Sequence, residues 1–296
     1  MDCIIIGGGP AGLTAAIYLA RFNRRVTVID GGDSRARLIP TTHNYPGFAN
    51  GVRGQRLLEL LREQGRNYGV GLIEGRIERL KNDGERFVAE GADRVFEAAK
   101  VVLATGLIDR KPPIPRLPDA IAQGLVRYCP VCDGFEASDQ RIAVLGHGND
   151  ASGKALFLRT YSRSVTLLTL DGSKPEQKSC AELENAGIAR PLAIVAAIDH
   201  AHGKVNVTLA DGERLTFDTL YPVLGCDVRS TLSTSLGAEH TEEGFLTVDK
   251  HQQTSVVGLY AIGDVVSDLH QIAVGTGHAA VAATHIHTEL PRNLKF

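Results

Sequence analysis

The sequence predicts an α/β protein with two three-layer nucleotide-binding domains, the second of which is inserted in the first. Three observations lead to this prediction. A glycine-rich turn joins a strand to a helix at the N-terminus, the same pattern returns in the middle of the chain, and two short apolar strands flank that second copy. The length of 296 residues is sufficient for two domains, each with its own core.

The first pattern covers residues 2–30. "DCIII" is typical of a buried strand, "LTAAIYLARF" has helical spacing, and "RRVTVID" predicts the next strand. Gly7, Gly9 and Gly12 between them have GxGxxG spacing, which permits a sharp turn, a close approach to a pyrophosphate and tight helix packing. Asp30 ends the second strand, where it can accept hydrogen bonds from a ribose. The pattern indicates a Rossmann-like dinucleotide site.

The second pattern begins after residue 139. "QRIAVLG" predicts a strand, "SGKALFLRTY" a helix, and "SRSVTLLTLDG" a strand that ends on Asp171. Gly146, Gly148 and Ala151 occupy the turn, among polar side chains that crowd the position of a phosphate. Two interpretations stay open. Gly146, Gly148, Ala151 and Asp171 form a second nucleotide site, or this is a Rossmann-like fold that binds nothing.

The two flanking strands set the predicted domain boundaries. "KVVLATG" at 100–106 and "GLYAIGDVV" at 258–266 are both short apolar strands that end in glycine, and both suit a sheet edge that faces a ligand. We therefore predict an outer domain of residues 1–112 and 241–296 and an inserted domain of residues 113–240. "DRKPPIPRLP", with four prolines, is the predicted entry linker.

Composition narrows the classes of partner. The 32 basic and 34 acidic residues give a net charge of −2, so nucleic acid is not an expected partner. No apolar run reaches the roughly 20 residues that span a bilayer, and "MDCIIIGGG" reaches glycine too early for a secretory signal. The expected location is the cytoplasm.

Cys129 and Cys132, in "RYCPVCDGF", have the spacing of half a zinc site, of part of a disulfide framework, or of a redox couple. Five cysteines in a large intracellular chain do not suit a structural framework, since the cytosol keeps thiols reduced. Zinc needs about four ligands, and no second CxxC or nearby HxxxH is present. The pattern favours a redox couple, and no metal is predicted.

Several motifs together resemble the low-molecular-weight thioredoxin reductases, a branch of the FAD-dependent pyridine nucleotide-disulfide oxidoreductases. They are "IIGGGPAGLTAAIYLAR" at the start, "NYPGF" at 44–48, "VVLATG", "CPVCDG", and "GLYAIGDV" followed by "HQIAVGTGHAA". The resemblance covers nearly the whole chain. It implies that the outer domain binds FAD and that the inserted, NAD(P)-binding-like domain carries the dithiol. It also implies a homodimer and a thioredoxin-like protein, or a small disulfide or dithiol, as partner.

The resemblance assigns roles to individual residues. Cys132 would exchange electrons with the flavin, Cys129 would attack the partner, and Asp133 would manage protons. Pro130 can open a helix whose N-terminus stabilises the Cys129 thiolate. The residues implied in FAD binding are Gly7, Gly8, Gly9, Pro10, Ala11, Gly12, Asp30, Asn44, Ile77, Ala104, Thr105, Gly106, Gly263, Asp264, His270, Gln271 and Ile272.

The chain departs from the family where NADPH-using members carry a cluster of arginines for the 2′-phosphate. "TLDGSKPEQ" stands there, and Asp171 would repel that phosphate. His270 also replaces an arginine usual in the family. Three hypotheses follow: an NAD(P)H-dependent disulfide reductase, a pyridine-nucleotide-independent relative that is a dithiol oxidase or is linked to ferredoxin or a second FAD, and a flavin redox sensor without turnover. Phe296 ends a tail that could cover a flavin.

Overall fold

A computed structural model describes residues 1–266 and 269–295. Two compact units divide the chain: unit 1 contains residues 1–37, 53–108 and 227–296, and unit 2 contains residues 38–52 and 109–226. The strands and helices follow in chain order: β1 (Cys3–Ile6), α1 (Pro10–Arg21), β2 (Val26–Asp30), α2 (Gly54–Asn67), β3 (Gly71–Glu74), β4 (Ile77–Asn82), β5 (Phe87–Gly91), β6 (Val95–Ala98), β7 (Lys100–Leu103), β8 (Leu107–Asp109), α3 (Leu117–Ala122), α4 (Pro130–Asp133), β9 (Ile142–Gly146), α5 (Gly148–Leu158), β10 (Val165–Leu168), α6 (Gln177–Asn185), β11 (Val195–Ala201), β12 (Lys204–Leu209), β13 (Arg214–Phe217), β14 (Thr219–Val223), β15 (Cys226–Val228), α7 (Thr231–Thr234), β16 (Leu259–Ala261) and α8 (Ile272–Glu289).

Unit 1 is built on a five-stranded parallel sheet in the order β16-β7-β1-β2-β3. Side chains of β1 alternate between its faces: Cys3 and Ile5 pack with α1 and α8, whereas Ile4 and Ile6 pack with the antiparallel sheet β4-β5-β6. Because both faces are covered, the strand is apolar throughout. Helices, parallel sheet and antiparallel sheet are the three predicted layers.

Unit 2 repeats this arrangement on a smaller scale. Its parallel sheet has the order β10-β9-β14, covered by α5 on one face and by the antiparallel sheet β11-β12-β13 on the other. Isolated parallel bridges add Val126 beside β14 and Ala189 beside β10. The fold class predicted from the sequence, two Rossmann-like three-layer units with one inserted in the other, is confirmed.

The chain returns from unit 2 to unit 1 between residues 226 and 227, whereas the predicted boundary lies between residues 240 and 241. Residues after the crossing belong to the core of unit 1, since Ala238 is buried there and Leu232 and Leu236 pack against it. Residues 38–52 cluster with unit 2, which the sequence did not predict. The connecting segments pair with each other as β8 and β15. The assignment of FAD to one domain and of an NAD(P)-like function to the other stays a prediction.

The described part of the C-terminal tail is fixed to the end of α1. Buried Arg24 donates from Nε to His287 Nδ1 (3.0 Å) and from Nη2 to the His287 carbonyl (3.0 Å), and Nη1 bonds the Pro291 carbonyl at 2.8 Å. A cation at the last carbonyls of α8 favours the helix dipole. Asn293 donates to the Phe22 carbonyl at 2.9 Å. Phe296 lies outside the described residues. No helix in the described ranges has the length and apolar character to cross a membrane.

Candidate active site

The first glycine turn has no room for a side chain at Gly7 or Gly12. A Cβ on Gly7 would lie 2.2 Å from the Ala104 carbonyl oxygen, and one on Gly12 would lie 2.0 Å from the Gly7 carbonyl oxygen. Gly7 also has φ +110°, which favours glycine. Pro10 opens α1, and among the described residues no side chain caps the Gly9 end. The free amide groups and the dipole of this twelve-residue helix favour a phosphate.

Asp30 closes the turn, as its position at the end of β2 predicts. Its Oδ1 accepts from the amides of Gly8 and Gly32, both at 3.2 Å, and its Oδ2 forms an ion pair with Arg62 at 2.7 Å. A Cβ on Gly8 would meet the Asp30 carboxyl carbon at 2.5 Å, so glycine is what lets the two approach. The Gly75 amide bonds the Asp30 carbonyl at 3.0 Å, which brings the start of β4, with Ile77, to the same strand end.

The other residues assigned to FAD in unit 1 follow β7 and β16 or lie at the start of α8, and Ala104 and Gly263 lie against α1. A Cβ on Gly263 would lie 3.0 Å from Ala11 Cβ, and Asp264 pairs with Arg35 at 3.1 Å. Gln271 is the N-cap residue of α8, directly before Ile272, while His270 stacks on Phe245 at 5.1 Å between ring centroids. Ala104, Thr105 and Gly106 follow β7, and Thr105 Oγ1 donates to the Arg229 carbonyl at 2.6 Å.

This cradle fits FAD. The first turns of α1 and α8 lie against each other beside the glycine turn, and the arginines of this cradle outnumber the carboxylates that they bind. Asp30, Asp33 and Asp264 contact Arg35, Arg62, Arg76 and Arg229. Excess positive charge suits a pyrophosphate. The predicted FAD residues other than Asn44 belong to unit 1, and their roles as ligands stay predictions.

Asn44 belongs to unit 2, where it contacts the cysteine turn. Its Nδ2 donates to the Val131 carbonyl at 3.3 Å, and its Oδ1 accepts from Thr42 Oγ1 at 2.9 Å. The "NYPGF" segment therefore braces the turn between the two cysteines. Its predicted place near a flavin stays a prediction.

Cys129 and Cys132 form a disulfide with a Cα–Cα distance of 5.2 Å, and both are half-buried. Pro130 begins α4 and Cys129 is its N-cap residue, as expected from the sequence. The Cys132 amide donates to Cys129 Sγ at 3.1 Å. A hydrogen bond from an amide favours negative charge on sulfur, so this contact stabilises a Cys129 thiolate once the disulfide opens.

Asp133 is gripped at both carboxyl oxygens. Oδ2 pairs with Arg127 Nη1 at 3.3 Å, and Oδ1 accepts from the Tyr221 hydroxyl at 3.0 Å. Burial raises the pKa of Asp133, although Arg127 and Tyr221 oppose that rise. The result is a carboxyl group next to the dithiol that can take or give a proton closer to neutral pH than an exposed aspartate.

The second glycine turn is closed by its own loop. β10 ends at Leu168, not at Asp171, because the Asp171 carboxylate folds residues 169–173 into a turn. It accepts from Thr169 Oγ1 (2.8 Å) and the Ser173 amide (2.9 Å) and pairs with His147 Nδ1 (3.0 Å). The Ser173 amide, followed by Thr169 and His147, lowers the pKa of Asp171. The strand prediction was wrong by three residues at this end.

The three remaining residues of the second pattern lie at the predicted turn. Gly146 ends β9, and a Cβ there would meet the Val223 carbonyl oxygen at 2.5 Å. Gly148 has φ +54° at the start of α5, and Ala151 is buried in that helix. Asn149 in the turn accepts from the Glu176 amide (3.1 Å) and from Ser179 (3.0 Å), so the following loop is fixed over the turn. Nucleotide binding here stays a prediction.

A glycine-turn nucleotide fold and a CxxC disulfide in one chain define a dinucleotide-dependent disulfide oxidoreductase. A family model described as pyridine nucleotide-disulphide oxidoreductase matches residues 1–285. The chain is 33% identical over 295 residues to a thioredoxin reductase of Streptomyces clavuligerus, covering 94% of this chain and 91% of that protein. A thioredoxin reductase of Bacillus subtilis is 30% identical over 310 residues, covering 99% and 97%.

A solved thioredoxin reductase structure from Streptococcus pyogenes has a TM-score of 0.90 and 28% identity, and covers 97% of each chain. The chain belongs to the pyridine nucleotide-disulphide oxidoreductase family. It is an FAD-dependent disulfide oxidoreductase of the thioredoxin reductase type. The enzyme class, the flavin and the redox pair predicted from the sequence are confirmed.

Sequence reasoning missed Arg127, Tyr221 and the arginines around Asp30. Arg127 stands two residues before Cys129, and Tyr221 is the aromatic residue of "TLYPV", a strand buried throughout. A tyrosine in such a strand needs a hydrogen-bond partner for its hydroxyl, and this signal could have drawn attention to it. The identity of that partner could not be read from the sequence.

Proposed function

We propose that Cys129 and Cys132 cycle between disulfide and dithiol, and that Cys129 exchanges with the partner. The observation that carries this assignment is the hydrogen bond from the Cys132 amide to Cys129 Sγ, because it stabilises the thiolate on Cys129. When FAD is bound, it carries the electron pair that the Cys129–Cys132 couple gains or loses. Gly7–Gly12, Asp30 and Asp264, with the arginines around them, would hold FAD.

In the reducing direction the exchange needs two sulfur displacements. The Cys129 thiolate attacks one sulfur of the partner disulfide, the partner S–S bond breaks, and a mixed disulfide forms. Cys132 then loses its proton and attacks Cys129, which releases the second partner thiol and restores the Cys129–Cys132 bond. The dithiol is oxidised and the partner disulfide is reduced by the same electron pair.

The proposed partner is a thioredoxin-like protein or a small disulfide or dithiol. Support comes from the thioredoxin reductases to which the chain is similar and from the surface of the dithiol turn. Val131, between the cysteines, is 44% exposed, and Phe135, just after them, is 77% exposed. Apolar side chains beside a redox pair suit the uncharged surface around a partner's sulfur atoms. The family resemblance also supports a cytoplasmic homodimer.

The electron donor is a separate question, and here a second candidate has specific support. Asp171 places a fixed negative charge where NADPH-using relatives carry arginines, and the loop that contains it is bonded to His147 and Asn149 in the nucleotide turn. Like charge against a 2′-phosphate disfavours NADPH. We therefore propose that NADPH is a poor donor, and that NADH, a dithiol, ferredoxin or a second FAD in unit 2 serves instead.

Anaerobic reduction of the purified flavoprotein tests both proposals. Wild type, Cys129→Ser, Cys132→Ser and the control Cys180→Ser are mixed separately with NADPH, NADH and dithiothreitol, and flavin bleaching is followed. Dithiothreitol should bleach wild type and the control at equal rates, and the two dithiol variants at least about 100-fold more slowly. NADPH should bleach the flavin of wild type more slowly than NADH does.

Two results would contradict the proposals independently. Equal bleaching of all four proteins by dithiothreitol would show that electrons bypass Cys129 and Cys132. Rapid bleaching of wild type by NADPH, faster than by NADH, would show that Asp171 does not exclude the 2′-phosphate. A flavin-to-protein ratio near two would favour the candidate in which a second FAD binds in unit 2.

A further inference from the structure

Tyr221 and Arg127 each hold one carboxyl oxygen of Asp133, and both are anchored to the same strand. Tyr221 lies in β14, is fully buried, and donates to Asp133 Oδ1 at 3.0 Å; its oxygen also lies 3.2 Å from the Asp133 carbonyl. The Arg127 amide donates to the Leu220 carbonyl at 3.0 Å, beside the bridge between Val126 and Leu220. Register in the sheet therefore fixes both partners relative to the dithiol turn.

The Arg127 guanidinium is itself fixed. Its Nε donates to the Gly124 carbonyl at 3.1 Å while Nη1 contacts Asp133 at 3.3 Å. About one fifth of each side chain is exposed, 19% for Arg127 and 23% for Asp133. A guanidinium anchored at one end loses little further freedom when it binds the carboxylate, so the pair is preorganised. A purely structural ion pair at the surface would need neither the buried phenol nor the second anchor.

We propose that Arg127 and Tyr221 are positioning residues that hold the Asp133 carboxylate in place to take the proton of the Cys132 thiol. The inference rests on the proposed function of the dithiol. When the mixed disulfide on Cys129 is resolved, the Cys132 S–H bond breaks and its proton passes to Asp133. The Cys132 sulfur then forms the bond to Cys129, and the displaced partner thiolate leaves with the other electron pair and is protonated by Asp133 or solvent.

The charged groups around Asp133 predict the sign of each substitution. Burial raises its pKa, Arg127 and Tyr221 lower it, and Glu136, in the turn after α4, raises it. Loss of Arg127 or of the Tyr221 hydroxyl removes a group that stabilises the carboxylate, and therefore moves its titration to higher pH. Loss of the Glu136 charge removes a repulsion and moves the titration to lower pH. A role confined to stability predicts no change in the pH dependence of disulfide closure in variants that remain folded.

Single-turnover exchange with 4,4′-dithiodipyridine tests this without reliance on flavin turnover. Reduced holoprotein, prepared with excess dithiol and desalted anaerobically, should release thiopyridone in two phases, the attack by Cys129 and the closure by Cys132. The closure rate is measured against pH for wild type, Arg127→Gln, Arg127→Lys, Tyr221→Phe and Glu136→Gln. Arg163→Gln, at an exposed position of unit 2, is the control for loss of one positive charge.

We expect the closure rate to rise with pH. The pH range of this rise should move to higher pH in Arg127→Gln and Tyr221→Phe and to lower pH in Glu136→Gln. At pH values below this range, closure in Arg127→Gln should be about tenfold slower than in wild type. Arg127→Lys should close at nearly the wild-type rate. Thermal unfolding, followed by circular dichroism, verifies that each variant is folded; if Tyr221→Phe is not, the opposite shifts of Arg127→Gln and Glu136→Gln still decide the matter.

Two outcomes would overturn the inference, and they are distinct. Wild-type exchange in two phases with superimposable pH profiles in all variants would refute the positioning role and leave the dithiol function intact. Absence of thiopyridone release from reduced wild type would refute the dithiol function itself.

Discussion

Gly12→Ala should strip the protein of most of its FAD. The new Cβ would lie 2.0 Å from the Gly7 carbonyl oxygen and 3.1 Å from Ala104 Cβ. Since carbon and oxygen need roughly 3.3 Å, the turn and α1 would have to separate by more than about 1 Å. Overpacking against backbone costs about 3 kcal/mol. If that cost falls on the bound turn, FAD affinity drops roughly 100-fold.

The control is Gly277→Ala, in α8 of the same unit. Gly277 is exposed, and a Cβ there would meet no heavy atom of the described residues within 4 Å apart from its chain neighbours and the backbone of its own helix. An alanine at an open helical position should stabilise by about 1 kcal/mol. Both variants and wild type are purified identically, and the ratio of flavin to protein absorbance is compared, followed by titration of the apoproteins with FAD.

The expected order is full flavin content in wild type and Gly277→Ala and strong depletion in Gly12→Ala. Full flavin content with unchanged FAD affinity in Gly12→Ala would refute the assignment of this turn to the cofactor. If the variant unfolds, as the circular dichroism of the apoprotein would show, Gly9→Ala provides the same test. A Cβ on Gly9 meets only Ser34 Oγ, at 3.2 Å, and intrudes chiefly on the space above the turn.

Three further predictions concern stability and the inserted unit. Arg24→Ala should lower the free energy of unfolding in urea by about 3 kcal/mol, because it removes three hydrogen bonds of a buried cation at the end of α8, whereas the exposed neighbour Arg25→Ala should change it by less than about 0.5 kcal/mol. Lys204, and then the Arg141 amide, lower the pKa of Asp218. Its carboxylate therefore stabilises the fold above about pH 4, and this stabilisation is lost as the pH falls further. Asp218→Asn should have a lower free energy of unfolding in urea than wild type at pH 7, and the two values should converge in acid. Asp171→Ala should speed amide hydrogen exchange in residues 169–176 and leave exchange elsewhere unchanged, and protection equal to wild type would show that this carboxylate does not hold the loop.

Local patterns predicted the parts of the site whose chemistry lies within a few residues. The GxGxxG spacing, the strand that ends on Asp30 and the pair Cys129–Cys132 were all read from the sequence, since backbone geometry makes such spacings meaningful. The strand expected to end on Asp171 was wrong, because a side chain that bonds its own backbone two residues on competes with the sheet. Apolar periodicity cannot register that competition.

The sequence by itself determined the fold class, the glycine cradle and the redox pair, because each depends on residues close together in the chain. Only the tertiary structure decided which distant groups surround them. Asp133 meets Tyr221 across 88 positions, and Arg35 meets Asp264 across 229. Such pairs are set by strand register and by the packing of helices on a sheet, and a single sequence carries no local signal for either. The sequence therefore assigned Asp133 to proton chemistry, and only the tertiary structure showed that Arg127 and Tyr221 hold it.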